Sequence, residues 1–162
     1  MSDKKERPAF LDKAELWDKG NVISDFEEGR VFDHNWGRTI NAGDNSLYTT
    51  LCQLYNPLYF NESYALQMGH PGIVVNPLLV FNTVLGMSVE DLSLRGPFVS
   101  INDCRFVRPV YPGDTLTAQS VVIQRRFSES RPGAAIVTWK TEGFNQRGEQ
   151  VIEYTRSNFL QE

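Results

Sequence analysis

Asn76-Pro77-Leu78-Leu79-Val80-Phe81-Asn82-Thr83-Val84-Leu85-Gly86-Met87 is the longest apolar helix pattern in the chain. Asparagine is favoured just before a helix, because its side chain accepts a backbone N–H that has no partner within the helix. Proline is favoured next, since its missing N–H would be unpaired there anyway. The apolar residues from Leu78 to Met87 leave almost no polar face, so the pattern predicts a helix over 77–87 buried nearly all round. From Phe98 onward the period becomes that of strands, expected over 98–110, 115–127, 134–144 and 151–160. Tyr111-Pro112-Gly113-Asp114, a hairpin connection over 128–133 and Gln146-Arg147-Gly148 supply the turns. Such successive strands read as an antiparallel meander. One buried helix against a strongly bent antiparallel sheet is an α+β arrangement.

Upstream of that helix the elements are shorter. Lys13–Lys19 reads as a short helix ended by Gly20, and Arg30–Ile40 as a strand-like run. Asp44 is placed to cap a helix running to about Leu54, with Leu47, Tyr48, Leu51 and Leu54 at helical spacing. Pro57 stops it. Asn61 to Met68 is a second, shorter helix pattern closed by Gly69. With no internal linker or repeat, residues 1–21 read as an N-terminal extension and 22–162 as one domain.

The 162 residues are enough for a core without disulfide staples, and 41% apolar with 22% charged is ordinary for a globular protein. A net charge of −4 argues against nucleic acid as a partner. Cys52 and Cys104 follow no metal or disulfide spacing and are expected to be reduced core thiols. The two histidines and two cysteines also lack ligand spacing, so no metal site is expected. The charged first residues carry no apolar segment behind them, and no run of about 18 apolar residues exists; a cytoplasmic protein without a membrane span is expected.

Several ordered motifs carry a resemblance. They are Ala42-Gly43-Asp44-Asn45, Asn56-Pro57-Leu58-Tyr59-Phe60, Val75-Asn76, Val89-Glu90-Asp91, the run Arg108–Leu116, Ser130-Arg131-Pro132 and Gly143-Phe144-Asn145-Gln146. Over about residues 22–160 the chain resembles the MaoC-like dehydratases of the hotdog fold, nearest the branch of mesaconyl-CoA hydratases and beta-methylmalyl-CoA dehydratases. The resemblance implies a single hotdog, its long central helix wrapped by the sheet. It also implies a hydratase or dehydratase of acyl-CoA or carrier-bound thioesters. Coenzyme A would be part of the substrate and no separate cofactor is expected. Pairing with a second hotdog chain, identical or homologous, is implied too.

Family enzymes keep a histidine at the Asn-Pro turn and an acidic or polar residue five positions before it. Those positions fall on Tyr59 and Leu54. Leucine transfers no proton, and an ordinary tyrosine, with a pKa near ~10, is a poor base at neutral pH. Relatives also open the central helix with a residue whose N–H faces the thioester carbonyl; here it is Pro77, which has none. Donors then have to come from Leu78, Leu79 or the Asn76 side chain. The candidate catalytic residues are therefore Tyr59, Asn56, His70 and Asn76. His70 is included because a histidine titrates near neutrality. The plainer reading of Asn56 is a turn before Pro57, and that of Asn76 a helix cap. His34, with no motif near it, receives no role.

Arg125, Arg126 and Arg131, around the hairpin, are the candidates for the phosphates of coenzyme A, with Arg105 and Arg108 on the preceding strand. Solvated strand-end charges explain them equally well. Two readings stand: a working hydratase or dehydratase with an altered site, and a noncatalytic hotdog subunit or thioester binder beside a catalytic homologue. Thioester hydrolysis is weaker, because no carboxylate lies between Asn76 and Met87.

Overall fold

A computed structural model describes residues 20–92 and 96–161. The helix expected over Lys13–Lys19 and nearly all of the 1–21 segment lie outside these residues. The described elements run β1 (Val31–Asp33), β2 (Arg38–Thr39), α1 (Ala42–Cys52), α2 (Glu62–Gln67), α3 (Pro77–Met87), α4 (Val89–Leu92), β3 (Phe98–Phe106), β4 (Thr115–Phe127), β5 (Ala134–Phe144) and β6 (Gln150–Gln161). Single 3₁₀ turns occupy Ile23–Asp25 and Pro57–Tyr59.

The sheet is antiparallel, in the order β1-β4-β5-β6-β3, with β2 also paired to β4. In β5 and β6 buried and half-buried positions alternate for most of their length, the period of a strand with one face on a core. The expected meander holds for β4, β5 and β6, which short turns join. It fails for β3, which pairs with β6 at the far edge and not with β4. Residues 107–114 consequently cross the end of the sheet. Val107 donates to the Val151 carbonyl at 2.8 Å, Val110 accepts from the Val75 N–H at 2.8 Å, and Gly113 donates to the Ile40 carbonyl at 2.7 Å. This crossing lays Phe106–Val110 beside the start of α3.

Helix α3 begins and ends where its caps dictate, with Asn76 accepting from the Leu78 N–H. Val80, Val84 and Met87 bury against Leu116, Ala118, Ile152 and Tyr154 of the sheet. The helix is not buried all round, however: Leu78, Asn82 and Gly86 form an open stripe at four-residue spacing, and Leu78 is 43% exposed. On the sheet side the approach is close. A Cβ built on Gly143 would lie 2.7 Å from methyls of both Val84 and Ile152. Gly143→Ala should therefore destabilise the fold by about 1–3 kcal/mol, the usual range for overpacking, read as a lower denaturation midpoint with an unchanged slope.

The expected strand over 30–40 is split in two. Gly37 sits so close to β4 that a Cβ there would meet the Leu116 carbonyl at 2.9 Å, and His34 turns inward. His34 Nδ1 lies 2.6 Å from Asp91 Oδ2, its Nε2 2.9 Å from Ser120 Oγ, and Ser120 Oγ 2.8 Å from Thr141 Oγ1. Arg156 is buried with its guanidinium over Trp139, and among the described residues its Nε and Nη2 find no acceptor. Burial pulls its pKa down to about 10. A buried cation without an anion costs stability, so Arg156→Met should leave the chain as stable or up to roughly 4 kcal/mol more stable in urea.

Two further corrections concern small elements. The cap of α1 is Asn41, not Asp44: Asn41 Oδ1 accepts from the Asp44 N–H at 2.8 Å, and Asp44 answers the Asn41 N–H from the first turn. The helix also stops at Cys52, because Gln53 is left-handed at φ +53°. Cys52 and Cys104 are both free and exposed, not core thiols.

Candidate active site

An apolar cleft of about 290 Å³ opens at the start of α3. Leu58, Val74, Val75, Pro77 and Val80 form one wall, and Phe106–Val110 from the crossing segment form the other. Three side chains of polar chemistry reach it: Tyr59, His70 and Arg108.

One residue sets this arrangement. Asn45, buried on α1, donates through its amide to the carbonyls of Tyr59 at 2.9 Å and Val74 at 3.2 Å. Its Oδ1 accepts the Asn76 N–H at 2.7 Å. Helix α1, the turn carrying Tyr59 and the entry to α3 are thus tied to one side chain. Buried backbone groups must find partners somewhere, and here Asn45 is that partner.

Tyr59 is half-buried on the 3₁₀ turn and lines the cleft. Burial raises its pKa above the ordinary 10.0, so the phenol keeps its proton throughout the neutral range. Leu54 is on the surface, outside the cleft lining. His70 sits just past Gly69, whose φ of +86° closes α2, and its N–H donates to the Ala65 carbonyl at 3.0 Å. Its Nδ1 lies 3.0 Å from the hydroxyl of Tyr111. Tyr111 is itself held by its N–H to Asp114 Oδ2 at 2.9 Å.

The structure does not bring Asn56 and Asn76 into the lining. Asn56 accepts from the Leu58 N–H at 3.1 Å, in an exposed turn. Asn76 is wholly buried; its Oδ1 accepts from Leu78 N–H at 3.0 Å and its Nδ2 donates to Thr49 Oγ1 at 3.2 Å. This also removes the donors expected from the helix start. The Leu78 N–H is held by the cap, and those of Leu79 and Val80 by the Asn76 carbonyl, at 2.9 and 3.2 Å. The end of α3 that meets the cleft is Pro77, without an N–H.

Arg125, Arg126 and Arg131 lie at the other end of the sheet, roughly 25 Å away along the strands at ~3.3 Å per residue. Arg125 donates to the Ile23 carbonyl at 3.2 Å, Arg131 lies over the Phe159 ring, and Arg126 borders a separate hollow with Ser128 and Ser130. The cation at the cleft is Arg108, which stands 4.0 Å from a carboxylate oxygen of Glu149. Among the described residues no three His, Cys, Asp or Glu side chains gather as metal ligands.

Sequence reading missed Asn45 and Tyr111. Asn45 belongs to the Ala42-Gly43-Asp44-Asn45 motif, and a polar residue amid α1's apolar spacing was the available signal. Tyr111 was hidden in a turn motif that Pro112 and Gly113 already explained.

Comparisons with known proteins agree with this architecture. A family model described as mesaconyl-CoA hydratase matches residues 1–162. Mesaconyl-CoA hydratase of Cereibacter sphaeroides is 35% identical over 139 residues, which are 85% of this chain and 40% of that protein. A MaoC-domain protein of Chloroflexus aurantiacus superimposes with a TM-score of 0.84 at 35% identity, over 88% of this chain and 41% of the other. A Mycobacterium tuberculosis protein with a double hotdog fold superimposes with a TM-score of 0.77 at 23% identity, over 88% of this chain and 44% of the other, which speaks for the fold. The chain belongs to the mesaconyl-CoA hydratase family, MaoC-like proteins of the hotdog fold. It spans about 40% of the length of the Cereibacter sphaeroides and Chloroflexus aurantiacus proteins.

Proposed function

We propose that this chain is a hydratase or dehydratase of acyl thioesters, carried on coenzyme A or an acyl-carrier protein, with a family active site rebuilt around Tyr59 and His70. The supporting observation is that these two side chains, both able to hold or move a proton, line one apolar cleft at the start of the central helix. Apolar walls with a few convergent polar groups are the usual form of a small-molecule site.

Hydration adds the oxygen of water to the β-carbon and a proton to the α-carbon, leaving the thioester intact. A phenol suits that exchange even when it is a poor base. Tyr59 gives its proton to the α-carbon while it accepts one from the attacking water, and so ends as it began without a free phenolate. The raised pKa fits such a concerted transfer. Coenzyme A enters as part of the substrate, and Arg108 at the cleft is better placed for an anionic group of it than the hairpin arginines.

Partnership with a second hotdog unit, in a homodimer or with a homologue, belongs to the same proposal. Leu47, Leu51 and Leu78 are 62%, 73% and 43% exposed, and β3 is an edge strand with Phe98 and Val99 half exposed. Apolar surface of this kind marks association sites. Among the described residues no helix is long and apolar enough to cross a membrane. The proposal places the protein in the cytoplasm and gives it neither a nucleic-acid nor a membrane partner.

The test is direct. Crotonyl-, mesaconyl- and longer enoyl-CoA are added to purified protein and the enoyl-thioester absorbance is followed. Loss of absorbance with at least one substrate is expected. Tight binding of all of them without turnover points instead to a thioester-binding subunit, the reading favoured by the lack of a free N–H at the start of α3.

A further inference from the structure

Hydration of an enoyl thioester moves negative charge onto the thioester oxygen, and a fixed donor at that point accounts for much of such catalysis. The end of α3 supplies none: Pro77 has no N–H, and those of Leu78, Leu79 and Val80 are already engaged. Some other group at the cleft has to donate.

His70 is fixed in a way that makes it a donor. Its Nδ1 meets the Tyr111 hydroxyl at 3.0 Å, with ring centres 6.1 Å apart and tilted by 55°. Either atom of that pair can in principle carry the proton. Two features of Tyr111 favour the phenol as the donor. Burial and the nearby charge of Asp114 both raise its pKa, so the phenol keeps its proton. Among the described residues, His70 Nδ1 is the hydrogen-bond partner of that hydroxyl. With the phenol as donor, Nδ1 accepts, and a neutral imidazole that accepts at Nδ1 carries its hydrogen on Nε2. Among the described residues Nε2 has no hydrogen-bond partner. His70 lines the cleft, whereas Tyr111 stands behind it and faces a second hollow with Asp114 and Arg147.

We infer that neutral His70 donates its Nε2–H to the thioester oxygen, taking the place of the absent helix N–H, and that Tyr111 is the positioning residue that fixes the tautomer. The inference rests on the thioester-hydratase reading of this cleft. It changes His70 from a base into an electrophile, because proton relay through it would leave Tyr111 as a phenolate beside Asp114. Proton transfer stays with Tyr59.

Two measurements on the whole chain test this, and neither needs turnover. Nitrogen–proton correlation spectra of ¹⁵N-histidine-labelled protein above the histidine pKa should show His70 as the Nε2–H tautomer. Tyr111→Phe should erode that preference by about three- to tenfold, the worth of one hydrogen bond. A predominantly Nδ1–H His70 in the parent, or a tautomer ratio unmoved by Tyr111→Phe, overturns the inference. In the second measurement the carbonyl carbon of ¹³C-butyryl-CoA, which is saturated and cannot be hydrated, is observed on binding. A downfield shift in the parent, lost in His70→Ala, reduced in Tyr111→Phe and kept in Tyr59→Phe, is the expected pattern. A shift that survives His70→Ala also overturns it. The correct tautomer with no butyryl-CoA binding at all would instead sink the thioester reading on which the role depends.

Discussion

Replacing Tyr59 by phenylalanine is expected to lower kcat/KM on the best enoyl-CoA by roughly 10²-fold or more, the size of a lost general acid/base. Nearly all of the loss should fall in kcat. The ring stays in the apolar cleft, so substrate binding keeps its contacts, while the proton that goes to the α-carbon is gone. Stability should change by no more than about 0.5 kcal/mol, since burial alone perturbs this hydroxyl and no protein partner shifts its pKa. The parent should also hold its activity on the alkaline side up to and beyond the ordinary tyrosine value of 10.0, because burial raises the pKa. Above that point Tyr59 loses the proton it must donate. Unchanged kinetics in Tyr59→Phe would move proton transfer to another group.

The largest structural effect is expected at a residue outside the cleft lining. Asn45→Ala strips partners from three backbone groups at once, the carbonyls of Tyr59 and Val74 and the N–H of Asn76. A buried group left unpaired costs about 1–3 kcal/mol, so a loss of roughly 3–5 kcal/mol is expected by urea denaturation. Asn56→Ala is the control. It removes a single bond in an exposed turn and should cost about 1 kcal/mol or less. Because Asn45 joins the Tyr59 turn to the start of α3, Asn45→Ala should also depress activity in whatever fraction remains folded. Equal stability of the two variants would show that Asn45 does not hold the site together.

The contrast between these residues shows what was legible in the sequence. Helix α3 and strands β4 and β5 fall where periodicity and turn residues place them, because caps, prolines and the two-residue alternation act over a few positions. The neighbour of β3 was not legible. Its pairing with β6 joins residues such as Ile101 and Arg156, far apart in the chain, and no local pattern distinguishes that edge from the one beside β4. The same limit applies within the site. Tyr59 and His70 were singled out by the chemistry of their side chains and by the motif around the Asn-Pro turn. Asn45 works through partners 14, 29 and 31 positions away, and Tyr111 through one 41 positions away. Asn76 shows the reverse: its cap role was readable, and the cap is what uses up the Leu78 N–H. His34, which carried no motif, turned out to join α4 to the sheet through Asp91 and Ser120.

Turnover in ¹⁸O-labelled water separates the competing chemistries in one measurement. Purified protein is incubated with mesaconyl- or crotonyl-CoA, and the products are analysed by mass spectrometry. A hydratase built on Tyr59 and His70 yields a hydroxyacyl-CoA with one ¹⁸O on the β-carbon and the thioester intact. Substrate recovered unlabelled, although bound, would contradict the account and leave a thioester-binding subunit. Label found in a free carboxylate, with coenzyme A released, would contradict it in favour of thioester hydrolysis.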